Sequence, residues 1–144
     1  MKNLTEHPAQ SPAQNPSRQR LPCALACSGC SHAGELADRA ARRLQELGVA
    51  RMSCLAGVGG RIQSILATVR NAPEILMIDG CPLECGANSL RLAGFTKFQH
   101  LKLHALGVRK HDSPAREETV QALAEAASIL LSGASSPPAA GSSK

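Results

Sequence analysis

The chain has 144 residues and a formal net charge of +5, a length that fits one domain with a single core. There is no Trp and no Tyr, and Phe95 and Phe98 are its two aromatic rings, so Leu, Ala, Val and Ile must fill the interior. The basic residues (Arg39, Arg42, Arg43, Lys97, Lys102, Arg109, Lys110) are scattered without interleaved aromatics, which argues against a nucleic-acid face and for a solvated surface.

Residues 1–20 hold Pro8, Pro12 and Pro16 among Gln, Ser and Asn, a composition expected of a disordered N-terminal arm. That arm lacks the apolar stretch of a secretory signal. The domain is expected over 21–132. "LPCALAC" (Leu21 to Cys27) reads as a buried strand, and a helix follows from Ala33 to Leu47, with Leu36, Ala40, Leu44 and Leu47 at helical spacing. "VARMSC" (Val49 to Cys54) is the second strand, leaving through the glycine-rich "AGVGG", which reads as a tight turn. A helix over Arg61 to Asn71 follows. "EILMID" (Glu74 to Asp79) is the third strand, and Pro82 suits the first turn of a helix running to Leu92. "HLKLHAL" (His100 to Leu106) alternates as a strand near a sheet edge does, and a last helix runs from Ser113 to Leu131. Residues 133–144, "GASSPPAAGSSK", read as a disordered tail.

Strands alternating with helices imply a Rossmann-like three-layer α/β/α fold with a four-stranded parallel sheet. Right-handed crossovers favour the order 2-1-3-4, with a crevice at the carboxyl edge where the order reverses. No segment has the apolar length needed to cross a bilayer. The expected location is therefore the cytoplasm, away from membranes, where thiols stay reduced. Six cysteines in such a chain point to metal or redox chemistry rather than structural disulfides.

Five of the six converge. Cys27 ends the first strand and Cys30 lies in the loop after it; Cys54 ends the second; Cys81 and Cys85 follow the third. Neighbouring strands are roughly 4.8 Å apart, so these five thiols are expected at one sheet edge, beside helix N-termini that favour thiolates. Cys23, in mid-strand, reads as a small buried hydrophobe. Asp79 reads as a helix cap or loop anchor, and His32, His100 and His104 as surface residues.

"ACSGCS" (Ala26 to Ser31), "MSCLAGVGG" (Met52 to Gly60) and "IDGCPLEC" (Ile78 to Cys85) together resemble the signature blocks of the DGC-domain family, named for the Asp-Gly-Cys at 79–81. The resemblance runs from Ala26 to Val108. It implies a bacterial zinc-binding protein whose ligands are Cys27, Cys30, Cys54, Cys81 and Cys85; some members have a further cysteine where this chain has Ser89. It implies no reaction. Two other chemistries use the same thiols: an iron–sulfur cluster, or a thiol redox enzyme in which Cys27 or Cys30 attacks and another thiol resolves. Beyond a metal ion, the sequence names no partner and no oligomeric state.

Overall fold

A computed structural model describes residues 21–27, 31–111 and 114–133. The expected arm over 1–20, Cys30, and the tail beyond residue 133 lie outside the described residues. In chain order the elements are β1 (Cys23–Ala26), α1 (His32–Glu46), β2 (Arg51–Met52), α2 (Leu55–Gly59), α3 (Gln63–Arg70), β3 (Ile75–Asp79), α4 (Cys85–Leu92), β4 (Gln99–Lys102), a 3₁₀ turn (Leu103–Leu106) and α5 (Glu117–Leu131).

The four strands form one parallel sheet in the order β2-β1-β3-β4, as expected. Cys23 pairs with Arg51 on one side and Ile75 on the other, and Asp79 pairs with Lys102. The two inner strands are buried along their whole length, the mark of a parallel sheet covered on both faces. Helix α1 packs on β1, β2 and β3 and against α5; α4 packs on β3 and against α2. Leu25, Leu36, Leu44, Leu76, Met77, Ile78, Leu90 and Leu103 are fully buried, so aliphatic side chains fill the core. Among the described residues no helix is long and apolar enough to cross a membrane.

Element boundaries differ from the sequence reading in several places: α3 starts at Gln63 rather than Arg61 and α5 at Glu117 rather than Ser113, and four further differences lie near the carboxyl edge. Strand β2 is shorter, because after Ser53 donates its N–H to the Ala24 carbonyl the chain turns away and Cys54 caps a helix. The "AGVGG" segment is that helix, α2, and not a simple turn. Helix α4 begins at Cys85 instead of Pro82: residues 81–84 form a turn closed by the Glu84 N–H on the Cys81 carbonyl, with Glu84 itself left-handed at φ 47°. Strand β4 stops at Lys102, opposite the last residue of β3. Past that point there is no neighbour to pair with. The backbone closes into a 3₁₀ turn instead, ended by Gly107 at φ +89°.

Candidate metal centre

Parallel pairing puts the residues that follow β1, β2 and β3 at one edge of the sheet: Cys27, Cys54 and Cys81. Cys27 continues the line of β1, its N–H donated to the Ile78 carbonyl at 2.9 Å. Its thiol is buried, and Sγ accepts the Gly80 N–H at 3.0 Å. Burial pushes the Cys27 thiol up to about 11. The Gly80 hydrogen bond opposes that shift, while the nearby Asp79, Cys85 and Cys81 add to it. Without a cation this sulfur holds its proton; a metal must displace it.

The approach of Gly80 to Cys27 depends on its having no side chain. A Cβ there would stand 2.4 Å from the carbonyl oxygen of Ala33, in the first turn of α1. Gly86 meets a softer constraint, since its Cβ would lie 2.0 Å from the flexible Met77 Cε and 2.9 Å from Asp79 Oδ1. These two glycines let α1 and α4 close on the end of β3.

Asp79 is 1% exposed and fully engaged. Oδ1 accepts the Gly86 N–H at 2.9 Å; Oδ2 accepts the Ala87 N–H at 2.9 Å. These donors belong to the first turn of α4, so Asp79 caps that helix from the strand below, in line with its sequence reading. Its third partner is His100, whose Nε2 lies 2.9 Å from Oδ2. The expectation that His100 is a surface residue is corrected here: its side chain is 12% exposed, set against Asp79, Glu84 and Phe98. His104 lies in the 3₁₀ turn rather than on a strand face, and its Nδ1 is buried with no hydrogen-bond partner among the described residues. His32 is exposed at the start of α1, as expected of a surface residue.

One group of potential ligands stands out among the described residues. A sulfur from Cys27, a sulfur from Cys85 and a carboxylate oxygen from Asp79 all lie within 4.8 Å of one another. Two sulfurs at about 2.3 Å from a tetrahedral zinc stand roughly 3.8 Å apart, so this spacing suits a shared ion after a small shift. Cys27 is buried and Cys85 exposed, so the group spans from the interior to the surface. Cys81 is half-buried and close enough to act on the Cys27 charge, but falls outside the group. Cys54 is exposed, and its Sγ accepts the Gly57 N–H at 3.3 Å as the cap of α2. Cys23 is fully buried in the core; burial raises its thiol to about 11, as for the small apolar residue that its mid-strand position implies.

Sequence reasoning missed the role of His100. A signal was present: β3 and β4 pair in parallel with Met77 opposite His100, which puts Asp79 two residues along on the neighbouring strand.

A model of the DGC domain matches residues 23–127. Over 90 residues, 62% of this chain and 69% of the relative, the sequence is 41% identical to the anaerobic and virulence modulator AnvM of Pseudomonas aeruginosa. No solved structure matches. The matched span runs from the first residue of β1 into α5 and takes in every described cysteine, so this chain belongs to the DGC-domain family.

Proposed function

We propose that this protein binds a metal ion, zinc by preference, through cysteine thiolates at the carboxyl edge of its sheet. The observation that carries the reading is the Cys27–Cys85–Asp79 group, with its donor atoms within 4.8 Å. Cys27 and Cys85 are the central ligands, and the remaining places are taken from Cys30, Cys54 and Cys81. Zinc favours four sulfur or nitrogen donors in tetrahedral array, and two cysteine sulfurs already lie within 4.8 Å of one another here. Asp79 supports them from behind: with two backbone N–H groups and His100 on its oxygens, it holds the α4 first turn where Cys85 begins. A site closed by four protein sulfurs leaves no position for water, so binding, and not hydrolysis, is the expected activity. Reduced thiols suit the reducing interior of a bacterial cell.

The test is metal analysis of protein purified without oxygen, repeated for single Cys→Ser variants. The expected result is a colourless protein with one zinc per chain, nearly emptied by Cys27→Ser or Cys85→Ser and retained by Cys23→Ser. A brown preparation with iron and acid-labile sulfide would assign an iron–sulfur cluster instead. Reactive thiols with no metal at all would assign thiol redox chemistry.

A further inference from the structure

We infer that His100 is a positioning residue: through Asp79, and aided by Lys102 on the same strand, it sets where Cys85 stands relative to Cys27. The inference rests on the reading that Cys27 and Cys85 share a metal, and it adds a residue from β4, a strand that carries no cysteine.

Cys85 is the first residue of α4, so its sulfur goes where that helix start goes. Two anchors fix the start, one on each side of Cys85. After it, the N–H groups of Gly86 and Ala87 bind Asp79. Before it, Glu84 sits in the left-handed region at φ 47°, a conformation that is unfavourable for a non-glycine residue and persists only where surrounding contacts hold it. Both anchors lead to β4. Asp79 Oδ2 meets His100 Nε2 at 2.9 Å. The Glu84 carboxylate meets Lys102 Nζ at 2.5 Å and lies 4.0 Å from His100 Nδ1.

His100 thus faces both anchors at once. Asp79 Oδ2 accepts the Ala87 N–H, and the ring offers Nε2–H as its further donor. That donor keeps the Asp79 carboxylate from turning, and a carboxylate that cannot turn keeps both backbone N–H groups in line. The ring is itself held: Phe98 packs edge-on with centroids 5.9 Å apart. Removing the imidazole leaves Asp79 two of its three partners and leaves Glu84 to Lys102 alone. The first turn of α4 can then shift. Outer contacts of this kind typically change metal affinity 10–100-fold without touching the metal.

The test compares His100→Ala, His100→Gln and Lys102→Met in reduced protein, with cobalt(II) as the metal probe. Wild type is expected to show a sulfur-to-cobalt charge-transfer band. His100→Ala should bind cobalt(II) at least tenfold more weakly, with a weaker band per bound ion. His100→Gln keeps a donor and should recover most of both. Lys102→Met, at a partly exposed position that tolerates change, should lose about threefold. A second readout needs no metal: the rate at which diamide joins Cys27 to Cys85, followed by peptide mapping. Two thiols give one disulfide there, while the diamide takes up their two electrons and two protons. His100→Ala should slow this closure severalfold and His100→Gln should not.

If wild type binds no cobalt(II) but the disulfide rates divide as stated, the positioning role stands and the metal reading fails. Wild-type affinity, spectrum and closure rate in His100→Ala would overturn the inference. So would equal losses in His100→Ala and His100→Gln, which would mean that packing alone matters. Should His100→Ala not fold, the decision passes to His100→Gln and Lys102→Met: near-wild-type values in the first with a loss in the second uphold it, and any other pattern overturns it.

Discussion

Gly80→Ala is the sharpest probe of how the site is built. The new Cβ would stand 2.4 Å from the Ala33 carbonyl oxygen and 2.6 Å from its carbonyl carbon, against 3.4 Å for an ordinary contact. Relief requires about 1 Å of separation between β3 and the first turn of α1. Neither side is a flexible tip: the obstacle is helical backbone, and Ala33 is fully buried. Overpacking of cores costs about 1–3 kcal/mol, more where backbone must move, so about 2–4 kcal/mol is expected. At roughly 4 °C per kcal/mol for a domain of this size, the melting temperature should fall by about 8–16 °C.

The matched control is Gly59→Ala. No atom lies within 4 Å of the Cβ it would add, so it should be neutral or stabilise by up to about 1 kcal/mol. Both are read by urea and thermal unfolding of reduced, metal-free protein. Gly80→Ala should also weaken metal binding beyond its effect on stability, because the same displacement pulls the Gly80 N–H from Cys27 Sγ. A Gly80→Ala protein within 0.5 kcal/mol of wild type, with the control behaving as stated, would refute the close packing of α1 on β3 as the reason for this glycine.

Asp79→Ala strips the Gly86 and Ala87 N–H groups and His100 of their shared acceptor and should cost about 2–3 kcal/mol by urea unfolding, with Asp79→Asn intermediate. Cys23, raised from 9.0 to about 11 by burial, links stability to alkaline pH. The unfolded chain releases this proton near pH 9 and the native one holds it to near 11, so the contribution is intact below pH 9. It falls as pH rises through that window, by about 2–3 kcal/mol in all. The Cys23→Ala variant should show a correspondingly shallower loss between pH 9 and 11 in urea midpoints. If the proposed zinc binding holds, chelation should lower the melting temperature, and free zinc at about 100 times its dissociation constant should restore roughly 2.7 kcal/mol.

The sheet order was legible because it needs only the alternation of strands and helices and the handedness of crossovers. The apolar run of β3 and the spacing of Leu36, Ala40 and Leu44 supplied the first; all of these residues are buried. What was not legible is local to the carboxyl edge. Two of the residues that start helices there, Cys54 and Cys85, do so because of acceptors the pattern does not reveal. Cys54 caps with sulfur, in a segment whose glycines argue against a helix. Cys85 starts α4 because Asp79, six residues earlier, supplies the capping oxygens, so Pro82 is left in the turn. The alternation in His100 to Leu106 held for the side chains of Leu101 and Leu103, both buried, but could not show where β3 runs out of partners. Polar residues on that alternating strand read as solvated only if nothing covers them, and Asp79, Glu84 and Phe98 stand against His100.

The same reasoning separates the parts played by the three residues of the Asp-Gly-Cys motif. A parallel strand order explains why thiols after β1, β2 and β3 share an edge, but an edge several strands wide does not bring two sulfurs within reach of one ion. That step needs α4 turned back onto the end of β3, and α1 brought against it. Asp79 does the first by holding the Gly86 and Ala87 N–H groups, and Gly80 allows the second by having no Cβ to meet Ala33. Gly80 also gives its N–H to Cys27. The sulfurs so assembled are those of Cys27 and Cys85, neither of which belongs to the motif. Asp79 and Gly80 are therefore best understood as the frame that brings these two sulfurs together, and their substitution should move Cys85 and Cys27 and so weaken the proposed metal binding, whereas Cys81→Ser should leave those two sulfurs in place.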